Sequence, residues 1–209
     1  VFSLFVFLLF FTNISAQNSL TPQSTNTQQT VLNPYKDPKT GLYGFKNAND
    51  KVVVACKYAF VYPFSEGLAA VNVGGKVGFD AEYTNDYFVN GGKWGYINET
   101  GKLIIPTKYD AAEFFYDGFA IVELKGKKAF INKSGKQITA FEYDMMNPYS
   151  EGLAAVGKGE PMFFSYIDTT GTVIITGDYS AAGNFMKGKA RVTRYGALYF
   201  INKKGERIK

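Results

Sequence analysis

Five carboxylates raise the first chemical question. Asp110, Glu113, Asp117, Asp144 and Glu151 could supply the acid and base of a glycan hydrolase, a reaction that needs two carboxyl groups flanking the scissile bond. Asp80, Glu82, Asn85 and Asp86 offer oxygen ligands to Ca²⁺, but their spacing is not that of an EF-hand loop, and a solvated acidic loop accounts for them. The chain has no histidine, which removes Ser-His-Asp and Cys-His catalysis and most zinc sites. Neither a P-loop nor a Gly-x-Ser-x-Gly elbow occurs. The sequence therefore predicts no cofactor, no metal site and no catalytic activity.

Aromatic and cationic side chains carry the other chemistry, ligand recognition. Tyr43, Trp94 and Phe164, with Tyr83, Tyr87 and Phe88, could stack on sugar rings or grip an extended peptide. Packing competes for the first three; Tyr83, Tyr87 and Phe88 are the least explained by structure alone. Of the formal +5 charge, residues 187–209 hold eight basic groups and one acid, leaving fifteen basic and seventeen acidic residues elsewhere. Basicity is thus a C-terminal feature, with Lys189, Arg191 and Arg194 as candidate contacts to an anionic surface. A chain that tracks nucleic acid spreads Lys and Arg along a whole binding face, so that partner is not expected.

The elements that must position these groups are strands. Phe (19) and Tyr (15) far outnumber the single Trp, and 46% of the residues are hydrophobic, a composition that supports a buried core and favours extended chain. A unit of about 34 residues repeats. Trp94-Gly95-Tyr96-Ile97-Asn98-Glu99-Thr100-Gly101 aligns with segments ending at Gly135, Gly171 and Gly205, and an earlier copy runs over Tyr43–Asp50. Tyr58, Tyr109, Tyr143 and Tyr179 are equivalent, as are Phe64, Phe115, Tyr149 and Phe185. Seen this way, Asp110 and Asp144 are one repeat position, and Asp117 and Glu151 another; structure explains them before catalysis does. The same holds for the glycosylation-like Asn98-Glu99-Thr100 and Asn132-Lys133-Ser134, which are the repeated turn.

Each unit reads as three strands, Gly-Leu-Ala-Ala-Val, Lys-Trp-Gly-Tyr-Ile and Lys-Leu-Ile-Ile-Pro. Asn or Asp turning on its own backbone and a Gly at positive φ link the last two. Ala69, Ala120, Ala154 and Ala190 with Val71, Val122, Val156 and Val192 form a constant inward face, and the alternate positions, Lys189 and Arg191 in the final unit, point to water. The predicted fold class is all-β: three-stranded antiparallel meanders stacked as an open solenoid or a propeller-like array, the tyrosines and phenylalanines plugging the gaps between units. Closure could use the C-terminal hairpin to complete the first unit, which lacks an opening strand. Units fall at about 41–75, 93–125, 126–158, 161–193 and 194–209, with an insertion at about 76–92 that reads as an extra hairpin.

Lys93-Trp94-Gly95-Tyr96-Ile97-Asn98, Lys108-Tyr109-Asp110 and Ser65-Glu66-Gly67-Leu68-Ala69-Ala70-Val71 resemble a WG-repeat (KWG-repeat) protein over about residues 41–209. Only Trp94-Gly95 is a true WG pair. The resemblance implies a bacterial, exported all-β scaffold or recognition surface, and brings no catalytic residues with it.

Ahead of the repeats, Val1–Phe11 is almost unbroken Val, Phe and Leu and leads into Ser15-Ala16, the pattern of a signal peptide over residues 1–16. The missing basic n-region points to residues before Val1. Residues 17–40 read as a flexible polar linker. The mature protein is then expected outside the cytoplasm (periplasm, outer surface or secreted) without a membrane span, the lone Cys56 being a small apolar residue. Three functions follow from different classes: an exported binding or scaffold module for protein or glycan, an envelope structural protein meeting anionic polymer or lipid headgroups through its basic C-terminal edge, and, a distant third, a carboxylate-dependent glycan hydrolase.

Overall fold

A computed structural model describes residues 31–80 and 86–208, with backbone alone for Asp80, Asp86 and Tyr87. Sheet I comprises β1 (Asn33–Lys36), β2 (Tyr43–Lys46) and β3 (Val52–Tyr58). Sheet II comprises β4 (Phe60–Val61) and β5 (Leu68–Val73), a projecting ribbon of β6 (Lys76–Asp80) and β7 (Asp86–Asn90), then β8 (Lys93–Asn98) and β9 (Leu103–Tyr109). Sheet III has β10 (Ala111–Ala112), β11 (Phe119–Leu124) and β12 (Lys127–Asn132). Sheet IV has β13 (Met145–Met146), β14 (Leu153–Lys158), β15 (Phe163–Asp168) and β16 (Val173–Tyr179). Sheet V has β17 (Ala181–Ala182), β18 (Lys189–Arg194), β19 (Ala197–Asn202) and β20 (Arg207–Ile208). Among the described residues all pairings are antiparallel and no sheet pairs with another; the array is open.

Turn chemistry cuts the chain into these strands. Asn98 Oδ1 accepts from the backbone N–H of Thr100 at 3.1 Å and of Lys102 at 2.9 Å, and Gly101 follows at φ 80°. Asn47, Asn132, Asp168 and Asn202 do the same in the other sheets. Ser65-Glu66-Gly67-Leu68 is a two-residue hairpin turn in which Glu66 (φ 52°) and Gly67 (φ 82°) both take the left-handed region.

The glycine of the WG pair has a steric reason. A Cβ on Gly95 would lie 2.5 Å from the Ile105 carbonyl oxygen, because the bulged β9 passes directly over β8 there. In sheet IV the two strands exchange roles: Ser165 sits at the glycine position, Gly177 lies opposite, and the serine hydroxyl takes the Gly177 N–H at 3.3 Å. Sheet III has Ala129 with no glycine opposite, and its third segment forms no strand ladder with β12, only the isolated bridges Ile131–Gln137 and Lys128–Tyr143 and single hydrogen bonds such as Ile138 N–H to the Phe130 carbonyl. The freed N–H of Phe130 is taken by the buried Thr139 hydroxyl at 3.0 Å.

Four apolar cores lie between successive sheets. Tyr58 packs with Phe45 and Val54 on one side and Val61, Ala69, Val71 and Ile97 on the other. Tyr109, Tyr143 and Tyr179 hold the same place at the next three junctions. A three- or four-stranded sheet cannot bury its faces alone, so stacking supplies the core.

Two expectations need correction. Asn33–Lys36, read as the end of the linker, is instead β1, paired with β2, and Leu32 beside it is buried. That strand fills the edge of sheet I, so the C-terminal hairpin does not close the array there; β18, β19 and β20 pair only among themselves and with β17. The face alternate to Ala/Val is exposed in the final unit, at Lys189 and Arg191, whereas in the inner sheets Leu68 and Ala70 are buried against sheet III, and Leu153 and Ala155 against sheet V. An inner sheet has a neighbour on each side, so both of its faces are covered. Residues 1–30, carrying the predicted signal peptide and most of the linker, lie outside the described residues. No helix among the described residues is long and apolar enough to cross a membrane.

Candidate functional site

The conspicuous carboxylates hold the array together. Asp110 binds the Lys93 ammonium and accepts the Lys125 N–H at 2.7 Å, and these bonds, the lysine first, hold its carboxyl below the usual range. Asp144 repeats the arrangement with Lys127 at 2.5 Å and the Gly159 N–H at 3.1 Å. Glu151 reaches into the next sheet, accepting the Gly188 N–H at 3.0 Å and pairing with Lys203 at 3.3 Å. Glu66 does likewise with Gly118 at 3.1 Å and Lys133 at 3.8 Å. Among the described residues no cluster of three or more metal-ligating side chains forms.

The aromatic candidates separate. Trp94 is corrected: it is 5% exposed, stacked on Tyr62 at 5.3 Å and edge-on to Phe60 at 6.3 Å, so neither ring face is free for a ligand. Its equivalent Phe164 is buried too, and Tyr43 is half-buried against Phe60 at 5.2 Å. Phe88 is exposed on the ribbon and lies flat across Gly78, whose missing side chain makes room for it: a Cβ would meet the ring at 2.3 Å. Tyr83 and the Tyr87 side chain lie outside the described residues. The ribbon replaces a simple β-turn and is anchored at its base by the fully buried Asn72, which donates to the Gly91 carbonyl at 3.2 Å and accepts from the Gly75 N–H at 3.0 Å.

The cationic candidates converge on sheet V. Lys189 and Arg191 are exposed on its outer face beside Leu198 and Phe200, with the Lys189 ammonium 5.3 Å from the Phe200 ring centre. Arg194, at the hairpin turn, is tied to Asp178 at 2.5 Å, and the Tyr195 hydroxyl binds the other oxygen of that carboxylate. These two partners, Tyr195 first, hold Asp178 below the ordinary carboxylate range. Along this edge runs an open cleft of about 370 Å³ lined by Tyr179, Arg194, Tyr195, Ala197, Tyr199, Gly205 and Arg207. The Arg207 guanidinium lies 4.7 Å from the Tyr199 ring centre, and no described carboxylate pairs with it. Sequence reasoning did not single out Tyr195, Ala197 or Tyr199. The signal was available as departures from the repeat, since the aligned positions carry other residue types.

The four junctions and their signature residues agree with comparison to known families. The model of the WG containing repeat matches residues 43–76, 94–127, 129–160 and 164–196, well over half of the chain, and the chain belongs to that family. Comparison with curated proteins finds no match.

Proposed function

We propose that this chain is a non-catalytic, exported binding or scaffold module that presents protein- or glycan-recognising groups at the cell envelope. The observation that carries this reading is a division of labour. The repeated aromatic and carboxylate positions Tyr109, Phe115, Trp94, Glu66 and Glu151 are used in joining the units. Among the exposed groups, Phe88 on the ribbon and Lys189, Arg191 and Arg207 on sheet V lie where the repeat is interrupted or departs from its own pattern. A second reading, an envelope structural protein meeting anionic polymer or headgroups through the C-terminal edge, is favoured by Arg191 and Arg207 having no acidic partner among the described residues. Pull-down and glycan-array binding of the chain, repeated from low to high salt, tests both. Binding that is insensitive to salt and lost in Phe88→Ala supports recognition through the ribbon. Binding that falls steeply with salt and is lost in Lys189→Ala with Arg191→Ala supports the edge. Glycan hydrolysis abolished by Asp117→Asn or Glu151→Gln would overturn the non-catalytic reading.

A further inference from the structure

Side chains latch two of the inner junctions and leave the one between them, where sheet III meets sheet IV, unlatched. Where sheet II meets sheet III, the Ser65 hydroxyl donates to the Phe115 carbonyl at 2.6 Å and Glu66 accepts the Gly118 N–H at 3.1 Å. Lys133 pairs with that glutamate at 3.8 Å. Ser150, Glu151 and Lys203 repeat the arrangement where sheet IV meets sheet V. At the junction of sheets III and IV the same three repeat positions hold Tyr116, Asp117 and Thr169. Aspartate is a methylene shorter than glutamate, and no described hydrogen bond or ion pair reaches the Asp117 carboxylate. The Tyr149 carbonyl and the Gly152 N–H, which stand where Phe115 and Gly118 are latched, have no described partner either.

Aromatic rings stand at the same place. Phe114 is 50% exposed and Tyr116 58%, on either side in sequence of the fully buried Phe115, and neither ring meets another among the described residues. The corresponding residues are Pro63 and Ser65 in sheet II, and Pro148 and Ser150 in sheet IV, so the pair of rings belongs to this junction. Exposed rings beside unfilled donors and acceptors mark a contact surface. Charge and chemistry narrow the ligand. With a threonine in the lysine's place nothing neutralises Asp117, so an anion is repelled. A cation would suit the carboxylate but leave the Gly152 N–H without an acceptor. Adjacent hydroxyls of a sugar ring do both: they donate to Asp117 and the Tyr149 carbonyl and accept from Gly152 and Thr169. The C–H face of such a ring lies flat on an aromatic one.

We propose that the junction of sheets III and IV binds a neutral hexose residue of a glycan, its hydroxyls taking the hydrogen bonds that a latch makes elsewhere and its C–H face resting on Tyr116. This rests on the binding-module reading above and gives it a site and a ligand class. The test is calorimetric titration of the chain with cellohexaose, mannohexaose and maltohexaose, and with trigalacturonate and tetralysine for comparison. Expected are saturable binding of at least one neutral hexaose, and affinities lower by about tenfold or more for the acid and the peptide. Tyr116→Ser, Asp117→Glu and Thr169→Lys together rebuild the latch. That triple variant should lose about tenfold or more in affinity while its denaturant midpoint rises, which separates a closed site from a damaged fold. Tyr116→Ser alone, which removes an exposed ring, should lose affinity with an unchanged circular dichroism spectrum. Met186→Ser, the same repeat position in sheet V, should bind as the parent does. Binding of none of the hexaoses, equal affinity for trigalacturonate or tetralysine, or unchanged affinity in Tyr116→Ser or the triple variant overturns the proposal. A ligand found on the array that is lost in Phe88→Ala, or in Lys189→Ala with Arg191→Ala, and is indifferent to the triple variant would overturn this site alone and leave the binding-module reading standing.

Discussion

The junction between sheets II and III and the junction between sheets III and IV use the same aromatic plug with opposite polarity. In the first, Tyr96 meets Phe115 at 4.9 Å, and its hydroxyl crosses to the Glu113 carbonyl at 2.6 Å. Ser65 crosses to the Phe115 carbonyl at 2.6 Å, and Glu66 takes the Gly118 N–H. The junction of sheets IV and V repeats all three, through Tyr166 to Gly183 at 2.8 Å, Ser150 to Phe185 at 2.7 Å, and Glu151 to Gly188. Between sheets III and IV the hydroxyl changes partner. Phe130 replaces the first tyrosine and stacks at 4.3 Å on Tyr149, whose hydroxyl turns back to the Asp168 carbonyl of its own sheet at 2.9 Å. Tyr116 and Asp117 stand where Ser and Glu make the other latches. Two junctions therefore carry three side-chain latches that the one between them lacks; apolar packing and the Lys127–Asp144 pair hold that one. The lesson is that a repeat which looks uniform in sequence alternates in how its units are joined. Each hydrogen bond contributes about 0.5–1.5 kcal/mol, so three per junction make a difference of a few kcal/mol.

The comparison can be broken at its packed junction first. Phe130→Ala removes the ring on which Tyr149 stacks and is expected to cost about 3–5 kcal/mol, read as a shift in the denaturant midpoint. In native-state hydrogen exchange, β12 and β14 should then open ahead of β8 and β11. A loss no larger than that of a surface substitution would show that this junction does not depend on its plug.

Next comes the contrast between sheets with and without a full third strand. Gly95→Ala forces a methyl group against the Ile105 carbonyl and is expected to cost about 1–3 kcal/mol. Amide protection along β9 should drop toward that of the loose segment 136–143 in sheet III. Unchanged protection would mean that Ala129 is not what releases the third strand there.

Smaller still is the latch hydroxyl. Tyr96→Phe leaves the Glu113 carbonyl without its donor and should lower stability by about 1–2 kcal/mol while speeding exchange across the junction of sheets II and III. Tyr149→Phe should leave exchange at the junction of sheets III and IV as it was, because that hydroxyl does not cross it. Equal effects of the two would erase the distinction.

The smallest effect concerns Glu151. Its carboxyl is held below its usual value of 4.5, chiefly by the Gly188 N–H and then by Lys203. A depressed folded value means that this contribution is present above the unfolded carboxylate range and is lost as pH falls through the folded one. Glu151→Gln should accordingly melt slightly lower than the parent near neutral pH, and the gap should close as pH falls below the folded carboxyl's depressed range. A gap that persists in acid would assign the effect to shape and not to charge.

Much of this was legible from residues alone. The spacing of Gly101, Gly135, Gly171 and Gly205 placed the turns, and the equivalence of Tyr109 with Tyr143 and Tyr179 placed the plugs. Burial of Trp94 was not legible, since a tryptophan on a strand serves a binding face and a packed junction equally well; only the neighbouring Tyr62 and Phe60 decide. Nor was β1, because Asn33-Pro34-Tyr35-Lys36 has no repeat partner and becomes a strand only against the free edge of β2.

The sequence by itself determined the period, the turns, the strand type and the family, because those follow from local backbone preference and from apolar residues recurring in register. Tertiary structure alone decided which faces are wet and which tyrosine hydroxyl crosses a junction. Those depend on what lies across the gap from a residue, and periodicity along one chain does not record it.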